Sequence, residues 1–350
     1  MSDPVRRLTP VVRVARAKLN LTLAVVGRRD DGFHALHSIM VPLEIADRLS
    51  LAPAFAPGDQ LHVTGAGTAD LGPPEGNLVL RAISATRAAC RVRGVDAELP
   101  ALAARLDKRI PVAAGLGGGS SDAAAALDAA LEAWGVAEAL GPADRASVAS
   151  ALGSDVPFFL AGGWALVEGR GERVTPLPAP RGEVPAALVV TPGLPVSTAA
   201  VFAAFAAGAR PARGAALASS RHLAGELAAG MTAARFVERA GIMAVANDLA
   251  PATAAVAPGL VAFRRALGRV VGRPVGQSGS GPTLWVLYPS MAAAEMAATD
   301  VRAALAAGDL PGAGARPPFI CATRIVVGDR AGPVDAAPDR QAQAAHDGGS

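Results

Sequence analysis

The stretch GLGGGSSDAAAAL, residues 115–127, sets four glycines and two serines directly ahead of an alanine run. Glycine loses more backbone freedom on folding than any other residue, so such a cluster answers a geometric need. A Walker phosphate loop requires lysine after its last glycine, and Ser120 stands there instead. A dinucleotide fingerprint would need glycine at position 120 and an early place after the first strand, and neither condition is met. What remains is the physics common to both. A glycine run lets backbone N–H groups approach a ligand, and a following helix adds orphan donors and the positive end of its dipole. Gly115, Leu116, Gly117, Gly118, Gly119, Ser120 and Ser121 therefore outline a polyphosphate cradle. The two hydroxyls are further donors, and Ser121 and Asp122 could reach a magnesium ion. A tight structural turn with Ser120 or Ser121 as helix cap is the alternative.

Working outward, Leu127, Leu131 and Trp134 fall on one helix face, and Gly135 ends that helix. Upstream, KRIPV is a short β-like run. Of the 33 basic residues only Lys18 and Lys108 are lysine, in a chain that otherwise uses arginine for surface charge. A compact point charge suits a site beside a transferring phosphoryl group, although an ordinary surface position would also hold a lysine. Around Lys18 the pattern has period two: Lys18, Asn20 and Thr22 share one strand face, and Leu19, Leu21 and Leu23 the other. Asp31-Gly32 is a turn signal that leaves Phe33 and His34 just before a strand at 36–45. In GSDVPFF, Asp155 fits two roles, a cap for the helix that begins there and an acceptor for the proton of an attacking hydroxyl.

Further periodic segments predict a helix over 77–94, an ambiguous piece at 97–106 and a helix over 144–152. A strand-like stretch then runs through WALVEGRGERVTPL. The second half reads as a strand AALVVTPG, helices near 197–206, 219–230 and 231–240, and a helix running through 266. The loop GRPVGQSGSGPT, the strand LWVLY, a helix at 290–305 and a final strand ATRIVV complete it. At 350 residues the length favours two domains, 9–166 and 167–330, with PLPAPRGEVP marking the region of the break. Residues 333–350 lack large apolar side chains and read as a disordered tail, as do the first eight or so.

Hydrophobic residues make up 51% of the chain and charged ones 18%, which excludes a highly charged disordered chain. The net charge of +3 comes from scattered arginines without a basic block or interleaved aromatics, so no nucleic-acid partner is expected. No apolar run is long enough to cross a bilayer, and arginines occupy the N-terminal region where a secretory signal needs its apolar core. A cytoplasmic protein without a membrane partner is the expectation. Cys90 and Cys321 form neither a disulfide framework nor a metal knuckle. The oligomeric state is left open by the sequence.

Taken together, ARAKLNLTLAVVGRRDDGFHALHSIM (15–40), KRIPVAAGLGGGSSDAAAAL (108–127) and LGSDVPFFLAGGWALVEGRGE (152–172) resemble the family of galactose, homoserine and mevalonate kinases. AKLNL followed by GRRDDGFH narrows the likeness to a branch acting on a cytidyl diphosphate substrate. The likeness continues through VVTPGLPVST, NDLAP and GQSGSGPT. It implies a two-domain α/β (α+β) fold with the site in the interdomain cleft, ATP with magnesium as co-substrate, and phosphorylation of an alcohol in non-mevalonate isoprenoid precursor synthesis. By position, Asp155 matches the family's base and Lys18 its partner. Asn20, Phe33 and His34 match substrate contacts, with His34 at the cytosine edge, and Thr198 and Phe202 line the other side of that pocket. Lys108 corresponds to a lysine near the adenine, and Gly279, Ser280 and Gly281 to a supporting loop. Three departures stand out: Phe33 replaces the family's usual tyrosine, no threonine precedes GSG, and NDLAP carries alanine where glutamate is common. A ring suffices for stacking on a base, so cytosine binding is expected to survive the first. A kinase of the same fold acting on homoserine or mevalonate is the nearest rival reading.

Overall fold

The computed structural model describes residues 10–65, 72–208, 214–311 and 316–328. The two segments expected to be disordered, at the N-terminus and at 333–350, lie outside the described residues.

Strand β1 (Val11–Asn20) is followed by β2 (Ala24–Arg28), the Asp31-Gly32 turn and β3 (His34–Pro53). At 20 residues β3 is twice the length read from the sequence. Its length lets it serve four partners, with β2 and β1 in series along one edge and two later strands along the other. Next come β4 (Gln60–Gly65), helix α1 (Leu78–Val92) and β5 (Leu102–Lys108). The side-chain carboxamide oxygen of Asn77 caps α1 by accepting from Val79 N–H at 2.9 Å. Then follow α2 (Gly118–Ala133), α3 (Pro142–Leu152), α4 (Val156–Ala161) and the hairpin β6 (Ala165–Gly169) and β7 (Arg173–Pro176). These strands form a seven-stranded sheet ordered β4-β5-β3-β6-β7, with β1 and β2 also paired to β3. Among the described strands, β4 and β5 are the one pair that runs parallel. The hairpin β6–β7 carries the first sheet to Pro176, so strand pairing puts the break between the halves after 176 rather than at 166.

The second half begins with β8 (Ala186–Thr191). Helices α5 (Thr198–Ala206), α6 (Ala215–Ala228), α7 (Ala233–Glu238), α8 (Ala240–Val245), α9 (Ala250–Val256) and α10 (Gly259–Val271) follow. β9 (Gly276–Gln277), β10 (Leu284–Tyr288), α11 (Met291–Ala307) and β11 (Phe319–Arg324) complete it, as an antiparallel sheet ordered β11-β8-β10-β9. The helix expected to run through 266 is two helices, α9 and α10, because Pro258 removes a backbone donor at the junction. The last strand lies a few residues earlier than ATRIVV. Strand pairing that is antiparallel at all but one junction makes α+β the better of the two class names.

One face of the first sheet packs on α1 and α2, where the alanine run lets the helix lie close: Ala123, Ala126, Ala129 and Ala130 are fully buried beside Leu49, Leu51 and Ile83. The other face shares a core with the second sheet. Leu19, Leu21, Ile39 and Val41 there meet Ala187, Val189 and Trp285. Among the described residues no helix is long and apolar enough to cross a membrane. Cys90 and Cys321 are both free thiols.

Candidate active site

The period-two pattern that puts Lys18 and Asn20 on one face of β1 delivers both to the seam between the two halves, where they are 4% and 2% exposed. An ammonium ion this far from water needs oxygen around it. Lys18 Nζ donates to Asn20 Oδ1 at 2.6 Å and to the Gly115 carbonyl at 3.0 Å. The Asp155 carboxylate lies 3.4 Å away. Two neutral acceptors thus hold the amine in place and its third proton faces the one charged partner. Asp155 is the more open of the pair, its side chain about a third exposed. It opens α4 yet makes no capping bond, so capping does not account for its carboxylate. Three segments distant in sequence therefore meet within hydrogen-bonding reach of one amine.

The glycine bend has a distinct reason at each position. Gly115 and Gly117 have φ of 79° and 72°, the left-handed region. A Cβ on Gly117 would stand 2.8 Å from the Phe159 ring and 3.0 Å from Lys18 Cγ, and one on Gly115 would stand 2.9 Å from the Gly281 carbonyl. Gly118 is closed in by Ile110 and by Lys108 Nζ, 3.2 Å from a Cβ built there. Gly119 alone faces open space, with Leu78 its nearest neighbour at 3.7 Å. The first bond of α2 runs from Ser121 N–H to the Gly117 carbonyl, and no side chain caps the helix. The amides of Gly118, Gly119 and Ser120 thus precede the first intrahelical bond, and Ser120 and Ser121 lie inside the helix rather than at its cap. The carbonyls of Gly115 and Leu116 turn the other way, toward Lys18. Leu116 itself is a core side chain, 1% exposed.

Three of the sequence assignments need correcting. Lys108 was placed beside the adenine. It is instead a buried cation, paired with Asp47 and with Asp122 at 2.7 Å. Burial alone would lower its pKa, but the two carboxylates outweigh that and raise it. Asp122 was offered with Ser121 as a magnesium ligand. Both lie on the buried side of α2, 3% exposed, and one Asp122 oxygen is held by Lys108 while the other is buried without a hydrogen-bond partner. Burial, reinforced by the neighbouring Asp47, pushes Asp122 up to about 7 against the pull of Lys108. With one oxygen held by Lys108 and the other buried, Asp122 offers none to the cleft, so this pair does not fit a magnesium site. Asn20, finally, does not open to the cleft. Its Oδ1 accepts from Lys18, and its Nδ2 donates to Ser38 Oγ at 2.8 Å, which makes it a positioning residue for the lysine.

At the start of β3, His34 stacks on Phe202 with ring centroids 5.3 Å apart and meets Phe205 edge-on at 5.8 Å. The start of β3 and α5 are therefore in direct contact, with the His34 and Phe202 rings touching. Phe33 is half exposed, with the Arg170 guanidinium 4.9 Å over its ring. Thr198 Oγ1 lies 2.9 Å from Ser280 Oγ, which ties α5 to the GSG loop. A Cβ on Gly279 would come within 3.1 Å of Asn20 Oδ1 and 3.8 Å of Lys18 Nζ, so this loop lies directly on the lysine.

Residues not singled out in the sequence complete the support. Ser278 Oγ accepts from Asn20 N–H at 3.2 Å and donates to the Gly115 carbonyl at 3.1 Å, joining the three loops. Asn247 Nδ2 donates to the carbonyls of Gln277 and Gly279 at 3.0 and 2.9 Å. Gly171, at the tip of β6–β7, approaches the Ser154 carbonyl so closely that a Cβ would stand 1.9 Å from it, and so backs the turn that presents Asp155. Ser278 lies within GQSGSGPT and Asn247 within NDLAP, motifs already conspicuous in the sequence. Ser38 likewise lies within the 15–40 stretch, although nothing in its spacing set it apart there.

Known proteins resemble this chain in sequence and in fold. Residues 77–163 match the family described as GHMP kinases N terminal domain. The 4-diphosphocytidyl-2-C-methyl-D-erythritol kinase of Pelotomaculum thermopropionicum is 42% identical over 294 residues, covering 83% of this chain and 94% of that protein. A crystal structure of 4-(cytidine 5'-diphospho)-2C-methyl-D-erythritol kinase superposes with a TM-score of 0.62 at 32% identity, covering 90% of this chain and 99% of the other. Homoserine kinase from Cytophaga hutchinsonii gives a TM-score of 0.65 at 17% identity over 93% of this chain and 97% of its own, a likeness of fold alone.

Proposed function

This chain belongs to the 4-diphosphocytidyl-2-C-methyl-D-erythritol kinase family and is an ATP-dependent small-molecule kinase; from that premise we propose that it phosphorylates the C2 hydroxyl of 4-diphosphocytidyl-2-C-methyl-D-erythritol. The observation that carries the mechanistic reading is the 3.4 Å pairing of Lys18 with Asp155 beside the uncapped start of α2. In this reading the substrate oxygen forms a bond to the γ-phosphorus of ATP as the bond to the ADP oxygen breaks, and Asp155 receives the hydroxyl proton. Lys18 holds the carboxylate in place and offsets charge that develops on the phosphoryl group. The amides of Gly118, Gly119 and Ser120 face the nucleotide phosphates, which bring magnesium with them as part of the co-substrate. Phe33, His34, Thr198 and Phe202 form the cytidyl side of the cleft. His34 and Phe202 are in direct contact, so a cytosine would stack outside that pair or part the two rings.

ATP consumption measured with 4-diphosphocytidyl-2-C-methyl-D-erythritol, homoserine and mevalonate in parallel tests the assignment. Turnover with the first alone, competed by CDP, is the expected outcome. Preference for either of the others, or no competition by millimolar CDP, would transfer the chain to the rival activity.

A further inference from the structure

A cavity of about 600 Å³ opens on the second half of the molecule, walled by α8, α9 and α10 and floored by β9. Its volume falls in the range of small-molecule sites, roughly 300 to 1,000 Å³. Ala244, Val245, Pro251, Leu260 and Val261 give it an apolar wall. Its polar lining is unbalanced in charge: Arg264, Arg265 and Arg273 border it, and no acidic side chain does. Among the described residues no carboxylate pairs with any of the three. Arg264 is fixed in place by donating to the Val275 and Ala244 carbonyls at 2.8 and 2.7 Å, bonds to neutral oxygens that leave its charge uncompensated. Arg273 lies over the Tyr288 ring and donates to the Leu287 carbonyl, again without an anion. Arg265 is exposed. Guanidinium groups without carboxylate partners beside an apolar wall favour a ligand with a phosphate-like head and a hydrocarbon body.

We propose that this cavity is a second ligand site that takes an amphipathic anion, with a hydrocarbon chain along α9 and α10 and a phosphate or diphosphate head at Arg265 and Arg273. It lies behind the GSG loop. Asn247 and Gln277 line the cavity, and both donate to the Gly279 carbonyl, at 2.9 and 3.1 Å, so an occupant would touch the residues that hold the loop lying on Lys18.

Titration calorimetry on the full chain with decyl phosphate, octyl phosphate, decanol and inorganic phosphate tests the site, in the presence of saturating ADP so that the nucleotide cradle is filled. One saturable site for decyl phosphate is expected. Octyl phosphate, two methylenes shorter, should bind about fifteenfold more weakly, since each buried methylene is worth roughly fourfold in affinity. Arg265→Glu, an exposed change that leaves the core untouched, should weaken decyl phosphate at least tenfold, and Ala254→Trp, which narrows the cavity between α9 and α10, should also weaken it at least tenfold. Each of four results would overturn the proposal: no binding at millimolar decyl phosphate with or without ADP, binding that appears only when ADP is left out, decanol or inorganic phosphate binding as tightly, or affinity unchanged by Arg265→Glu.

Discussion

Lys18 has three N–H groups, and the oxygens of Asn20, Gly115 and Asp155 stand around them. Because two of those oxygens are neutral, removing the carboxylate leaves the amine anchored. Asp155→Asn should therefore keep nucleotide affinity within a few-fold while turnover falls by about 10² to 10⁴. Steady-state kinetics set beside ADP binding checks this, and near-normal turnover in the variant would remove Asp155 from the proton-transfer role. The second lysine is different, a buried cation shared by two carboxylates. Burial raises Asp122 to about 7 from its ordinary value near 3.8, so the folded state binds a proton more tightly than the unfolded chain. That contribution to stability is complete below about pH 4 and is lost as pH rises through 7, with each tenfold in proton affinity worth ~1.4 kcal/mol. Asp122→Asn should consequently gain on the parent protein as pH goes from 5 to 8 in urea denaturation. Parallel profiles for the two proteins would contradict the assignment. The scarcity of lysine marked both residues in the sequence, but composition could not tell the cleft lysine from the buried one. Only the partners distinguish them.

In the loop that opens α2, neighbouring glycines serve opposite ends. At Gly117 the left-handed φ and the contacts with Phe159 and Lys18 leave no room for a methyl group. At Gly119 a Cβ meets only Leu78, and alanine is the better helix former. Gly117→Ala should cost about 1–3 kcal/mol and lower turnover as Lys18 shifts. Gly119→Ala should leave the melting temperature equal or higher while, on the proposed phosphate cradle, raising KM for ATP several-fold, because the methyl group enters a bend whose amides that reading assigns to the phosphates. Equal melting temperatures for the two variants would refute this division of labour. The sequence disclosed the loop and its helix through glycine density and the i, i+4, i+7 spacing of Leu127, Leu131 and Trp134. The length of β3 was less visible. A period-two reading follows one face, whereas this strand passes from one set of partners to another along both edges and is buried differently on each stretch.

The two sheets share a core, and this governs how the whole molecule behaves. Trp285 of the second sheet is fully buried against Leu19 and Leu21 of the first, and its indole N–H donates to the Asn20 carbonyl at 3.1 Å. Trp285→Phe should cost about 2–3 kcal/mol through the space vacated and the carbonyl left without its donor. Urea unfolding should remain a single transition by circular dichroism and by tryptophan fluorescence. Two separated transitions would mean that the halves do not depend on each other. The sequence marks the region of the break by PLPAPRGEVP (176–185) but gives no means of placing it closely, so the boundary at 166 falls short of where backbone hydrogen bonds carry the first sheet, to Pro176. Local pattern by itself determined the helical and strand periodicities, the glycine loop and the residue types able to do phosphoryl chemistry, since these depend on neighbours a few positions apart. Which lysine meets Asp155, which face of α2 is buried and which loops press on Asn20 were decided by tertiary packing alone, because those contacts join residues up to 258 positions apart, and burial, not residue type, sets the charge and reach of each group.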